Sequence, residues 1–206
     1  MTTTIDFIRH GEPVGGSRYR GGGVDDPLSE NGWAQMRAAV GNHRPWQAIY
    51  TSPLVRCRAF AEELAARHGV PLRVDERLRE IGYGEWEGRS HAEVQAEDPG
   101  LRKRLWLDPV VFMPPGAESL ESARARMTGT WEDILDQHPG QHVLVVAHAG
   151  VIRMLLSQML GMPLERLFSF SVSYAALSRV AVDAIDGARL QRLLFHGASR
   201  LPESAP

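Results

Sequence analysis

The chain has 206 residues, 43% of them hydrophobic and 23% charged, with 20 Gly and 13 Pro, a balance that excludes collagen and intrinsic disorder and fits about one globular domain. Its 23 Lys and Arg against 25 Asp and Glu give a formal net charge of -2, which argues against general affinity for nucleic acid or acidic membranes. Its one cysteine, Cys57, cannot form an internal disulfide, and the first residues lack a cationic leader before an apolar run, so the expected setting is cytoplasmic.

Ile5 to Ile8 is a short bulky segment that predicts a buried strand, and it stops at Arg9-His10-Gly11. The glycine-rich stretch Glu12 to Pro27 predicts a surface loop. Ser29 reads as a helix cap before the apolar face of Trp33, Met36 and Val40, ending near Gly41. Ala48 to Thr51 predicts a second strand, followed by Ser52-Pro53 and a helix carrying Phe60 and Leu64 that ends at Gly69. Val70 to Val74 is a third, weaker strand. Arg77 to Gly88 predicts a loop holding Tyr83 and Trp86, which either stack on a ring of the substrate or fill the core beneath.

Short helices broken at Pro99-Gly100 come next, then a helix from about Ser119 to Gln137. His142 to Ala147 is the clearest strand, and an apolar helix from Val151 to Leu160 follows His148-Ala149-Gly150. Two strands, about Ala175 to Val182 and Arg189 to Phe195, are joined by the hairpin signal Asp186-Gly187. The alternation predicts an α/β fold, a three-layer α/β/α sandwich with a mostly parallel sheet, over residues 1–199, with 200–206 as a disordered tail. The last strands and the apolar residues Leu167 to Phe170 offer a homodimer contact.

In such sheets the site lies beyond the carboxyl ends of the strands, and three of these ends carry Arg9-His10, Ser52 to Arg56, and His148. These residue types suit phosphoryl transfer without a metal or other cofactor. A neutral His10 can accept the phosphoryl group, splitting one hard step into two. Arg9 and Arg56 can clamp its oxygens and His148 can add a donor. The guanidinium charges are expected to lower the pKa of His10 and keep it neutral. Glu80 is the candidate acid for the leaving oxygen, with Glu12 and Glu85 as the alternative carboxylates. The remaining histidines are expected to be mostly solvated, and no short-spaced pair of them suggests a zinc site. Cys57 is expected to be a small buried residue, since no C-x5-R phosphate loop surrounds it.

Taken together, Ile8-Arg9-His10-Gly11-Glu12, Ser52-Pro53-Leu54-Val55-Arg56, Glu80 ahead of Gly84-Glu85-Trp86-Glu87-Gly88, and His148 with Gly150 resemble the histidine phosphatase superfamily, the phosphoglycerate mutase-like group. The resemblance implies a phosphate pocket of Arg9, His10, Arg56 and His148, with His10 phosphorylated and Glu80 giving the proton. Tyr19-Arg20-Gly21, Leu78 to Gly88 and Pro114 to Leu120 resemble the alpha-ribazole phosphatase branch, which implies action on a cobalamin precursor and adds Arg20, Tyr83 and Ala149 to the expected binding residues. The chain departs from the family pattern at Gly16, where relatives carry Asn, at Phe60 (Thr) and at Ala149 (Gly). A broad-specificity phosphatase or a phosphoglycerate mutase of the same family, and a non-catalytic phosphate-binding module, are the alternatives.

Overall fold

The computed structural model describes residues 1–202. Its elements in chain order are β1 (Thr2–Arg9), α1 (Glu30–Val40), β2 (Ala48–Thr51), α2 (Val55–His68), β3 (Leu72–Val74), α3 (His91–Glu97), α4 (Leu101–Leu107), α5 (Leu120–Gln137), β4 (His142–Ala147), α6 (Ala149–Met159), β5 (Leu177–Ile185) and β6 (Ala188–Ala198). The six strands form one sheet in the order β3-β2-β4-β1-β5-β6. The first four run parallel, and β5 and β6 add an antiparallel pair on one side.

The alternation of side chains along a strand sends apolar residues to both faces of this sheet, as buried parallel strands require. Ile5, Phe7, Val143 and Val145 pack with α5 and α6, while Ile8, Ile49, Leu144 and Val146 pack with α1 and α2. The expected three-layer sandwich is therefore the observed one. The Ser29 cap holds as well: its side chain accepts the Gly32 N–H, and Gly41 ends α1 at φ 53°. A smaller cluster of Trp86, Val94 and Leu105 joins α3 and α4 to the loop beneath them. Among the described residues no helix is long and apolar enough to cross a membrane.

Three expectations need correction. The ordered chain continues past Ser199: Leu201 is buried against the α1–α2 face and its N–H donates to Ala39 O at 3.2 Å. Residues 203–206 lie outside the described residues. The segment Leu167–Phe170 is only partly displayed: Leu167 is fully buried, Phe168 and Phe170 are half-buried, and Phe170 packs edge-on to His196 with ring centroids 5.0 Å apart. The exposed apolar residues of the last hairpin are instead Ile185, Leu190 and Leu194. The remaining histidines are also less solvated than expected. His142 meets the buried Asp6 carboxylate at 3.0 Å, and His138 meets the Tyr50 hydroxyl at 3.0 Å.

Candidate active site

The parallel register sets the site. Arg9 pairs with Ala147 across β1 and β4, and Thr51 with Val146 across β2 and β4, so the next residues, His10, Ser52 and His148, emerge at one level from three adjacent strands. Backbone bonds lock the exits: His10 N–H donates to Ala147 O at 2.9 Å and Ser52 N–H to Val146 O at 3.1 Å. The imidazoles of His10 and His148 face each other edge-on with centroids 5.2 Å apart. Arg9, His10, Arg20, Arg56, Glu80, Tyr83 and Ala149 all line a single cleft of about 1010 Å³. The structure therefore brings together the residues the sequence singled out.

His10 Nδ1 lies 2.8 Å from Gly11 O. A carbonyl only accepts, so Nδ1 carries the hydrogen and Nε2 keeps its lone pair. Burial, then the charges of Arg9 and Arg56, hold the His10 pKa well below 6.5. The sequence reading named the guanidinium charges; desolvation is the larger cause. Gly11 permits this tight exit, because a Cβ there would sit 2.2 Å from Gly32 O.

Arg56 is almost fully buried. It donates from Nη1 to Val24 O at 2.7 Å, from Nη2 to Gly21 O at 3.0 Å, and from Nε to His148 Nδ1 at 3.3 Å. One N–H on each terminal nitrogen is left over. Arg9 stacks on Tyr174, its guanidinium carbon 4.0 Å from the ring centroid, and gives Nη1 to Val172 O at 2.7 Å. Its Nε is buried with no partner. Neither arginine meets a carboxylate among the described residues, and burial works against the charge on both.

His148 is held at both nitrogens: Nδ1 accepts from Arg56, so Nε2–H donates to Ser52 Oγ at 2.7 Å. Burial and Arg56 push its pKa well down too. Cys57 is buried as expected, its sulfur 3.6 Å from His148 Nε2 and its thiol pKa pushed up by burial. The Glu80 carboxylate accepts from Ile81 N–H at 3.0 Å and from Gly150 N–H at 3.2 Å, at the start of α6. Gly150 leaves room for the carboxylate in this place, since a Cβ there would fall 2.4 Å from Glu80 Oε1 and displace it.

Arg20 lines the cleft and is also tied into the glycine-rich loop. Its Nε pairs with Asp26 at 2.9 Å and its Nη2 donates to Val14 O and Gly16 O, so two of its three nitrogens tie the glycine-rich loop together. Trp86 is buried beneath the loop, while Tyr83 lines the cleft beside Tyr19, with centroids 5.5 Å apart. His91 also reaches the cleft wall, edge-on to Tyr19 at 4.3 Å. Sequence reasoning missed Arg153, Phe168 and Tyr174, which line the same cleft. Arg153 left a signal, being the one charged residue in the apolar stretch Ala149–Met159.

The sequence matches the family described as Histidine phosphatase superfamily (branch 1) over residues 5–193. The chain belongs to this superfamily. It is 34% identical over 170 residues to a glucosyl-3-phosphoglycerate phosphatase of Mycobacterium tuberculosis, covering 76% of this chain and 75% of that one. It is 32% identical over 183 residues to phosphoserine phosphatase 1 of Hydrogenobacter thermophilus, covering 86% and 85%. A bifunctional protein of Mycobacterium tuberculosis is 34% identical over 196 residues, 93% of this chain but 53% of its own length, so the chain spans about half of that relative. Among solved structures, the mycobacterial glucosyl-3-phosphoglycerate phosphatase with inorganic phosphate superposes at TM-score 0.84 and 28% identity over 97% of this chain and 99% of that one. A putative alpha-ribazole-5'-P phosphatase of Escherichia coli gives 0.81 at 22% identity over 98% and 99%, a likeness of fold.

Proposed function

We propose that the chain is a phosphomonoester hydrolase that needs no metal and works through a phosphohistidine at His10. The observation that carries this reading is a neutral imidazole with a free Nε2, flanked by the buried Arg56 and the half-buried Arg9, whose guanidinium groups have no carboxylate partner among the described residues. Buried charge is costly unless paired, and a phosphoryl dianion supplies the missing partner. Phosphatase names among the relatives support the class of reaction.

In the first step Nε2 attacks phosphorus and the ester P–O bond breaks. Arg9 and Arg56 hold the phosphoryl oxygens, with the orphaned Arg9 Nε among the donors. Turning His148 onto the phosphoryl group exchanges its Ser52 contact for one to the anion. Glu80 acts as the general acid, giving a carboxyl proton to the departing alkoxide. In the second step Glu80, now a carboxylate, takes a proton from water as the water oxygen attacks the phosphohistidine, which releases inorganic phosphate and restores Nε2. Arg20 serves the loop that closes over Arg56, and Ala149 and Tyr83 form cleft wall.

The loop text resembles alpha-ribazole phosphatases, whereas the phosphatases at 32% and 34% identity are named for phosphoserine and glucosyl-3-phosphoglycerate. Alpha-ribazole 5'-phosphate is therefore one member of a substrate panel beside these two, sugar phosphates and nucleotides. The experiment is phosphate release across that panel with EDTA present, for the native protein and His10→Ala. The expected result is turnover by the native protein and a loss of at least ~10³-fold in His10→Ala. A folded His10→Ala sample that keeps the native rate overturns the mechanism. A preference of ~100-fold for one ester, about 2.7 kcal/mol of discrimination, would name the substrate.

A further inference from the structure

Seven residues lining the cleft are lysine or arginine and one, Glu80, is acidic, although acidic residues outnumber basic ones over the whole chain, 25 to 23. A phosphoryl group held by Arg9 and Arg56 neutralises part of this charge and fills a small part of about 1010 Å³. Arg153 is a surplus cation with a defined pose. It lies in the first turns of α6, four residues beyond Ala149, so its backbone is about one turn, ~6 Å, along the helix from its start.

The side chain is half-buried and fixed at two points. Nε donates to Phe170 O at 3.0 Å, and the guanidinium carbon sits 5.3 Å from the centroid of Phe168. Both terminal nitrogens are without a protein hydrogen-bond partner, and no carboxylate lies within ion-pair distance among the described residues. The charge of Arg153 also opposes that of Arg9. A rigid fork with its outer edge open, beside another unpaired guanidinium, is suited to a planar or tetrahedral anion.

We propose that Arg153 receives a second anionic group carried on the alcohol portion of the substrate, so that this cleft prefers phosphomonoesters bearing a carboxylate or a further phosphate over those with a neutral alcohol portion. This rests on the hydrolase reading for its reaction but not for its binding contact. The anionic group stays unreacted while His10 takes the ester phosphate.

The test uses matched pairs, 3-phosphoglycerate against glycerol 3-phosphate for the carboxylate and fructose 1,6-bisphosphate against fructose 6-phosphate for the phosphate. The native protein is expected to favour the charged member of at least one pair, and that pair identifies the anion. Arg153→Gln is expected to shrink the kcat/KM ratio of that pair by about 30-fold, mainly through KM, the scale of one lost charge-assisted bond. Arg153→Lys, which keeps the charge, is expected to recover part of the ratio and guards against a variant that fails to fold. Equal loss on both members of each pair would place Arg153 in the phosphoryl clamp and overturn the proposal, as would a native protein indifferent to the second charge. Calorimetric binding of the same pairs to His10→Ala reads the contact without turnover, so a failed hydrolase mechanism and a failed anion contact give different results.

Discussion

A neutral imidazole offers one donor and one acceptor, and at His148 both are taken by single side chains. Arg56 can only donate, which fixes Nδ1 as the acceptor and leaves Nε2–H for Ser52. Ser52 is fully buried, so no water replaces a lost hydroxyl. Ser52→Ala is expected to destabilise the protein by about 1–3 kcal/mol in urea denaturation, the cost of stranding a buried donor. It is also expected to lower kcat about ten-fold, because the ring is no longer pre-aligned beside His10 before the phosphoryl group arrives to take over the Ser52 contact. Ser52→Thr, which keeps the hydroxyl, should recover much of the rate; a Thr variant as slow as the Ala variant would show that packing around Cys57, not the hydrogen bond, sets the ring.

At the scale of elements, the strands legible in the sequence are those buried on both faces. β2 and β4 are short apolar runs with the bounds expected, because burial on both faces leaves little room for polar residues. The sheet's outer strand was harder to bound: β6 extends to Ala198 with a largely exposed pattern, and the periodic signal fades where one edge and one face meet solvent. The core of the site was legible because Arg9 closes β1, His10 and His148 directly follow parallel strands, and Arg56 opens the helix that β2 feeds. Arg153 and Phe168 were not, because their approach depends on how the chain returns from α6, which residue spacing does not encode. The tail was misjudged for a similar reason, since a lone Leu201 among polar residues carries no periodicity. A chain ending at Ser199 loses the burial of Leu201 and its bond to Ala39 O, and a loss of about 2 kcal/mol is expected in urea denaturation. An unchanged midpoint would mean that α1 is held equally well without the tail.

For the whole molecule, the placement of titratable groups ties stability to pH in two separate windows. The carboxylate of Asp6 is fully buried, and burial works against its charge. Bonds from His142 and from Arg179 at 2.7 Å nevertheless hold its pKa below 3.8. Its folded value is depressed, so its contribution is complete above the unfolded value and is lost only in strong acid. His10 and His148 act in a higher window. Both have folded values well below 6.5, caused first by burial and then by neighbouring cationic groups, so between the folded and unfolded values the unfolded chain binds more protons. Stability therefore falls as pH drops below 6.5, by up to about 1.4 kcal/mol per pH unit for each histidine that stays neutral in the fold. His91 and His68 are shifted in the same direction and add to the slope. Urea midpoints measured at pH 8, 7, 6 and 5 are expected to be level above pH 7 and to decline below it, before the window of Asp6 is reached. Replacing His10 with Gln removes one titrating group and should flatten that decline. A midpoint that stays constant from pH 7 to 5 would mean that His10 and His148 protonate as readily in the folded cleft as in water, which would remove the neutral nucleophile on which the proposed reaction depends.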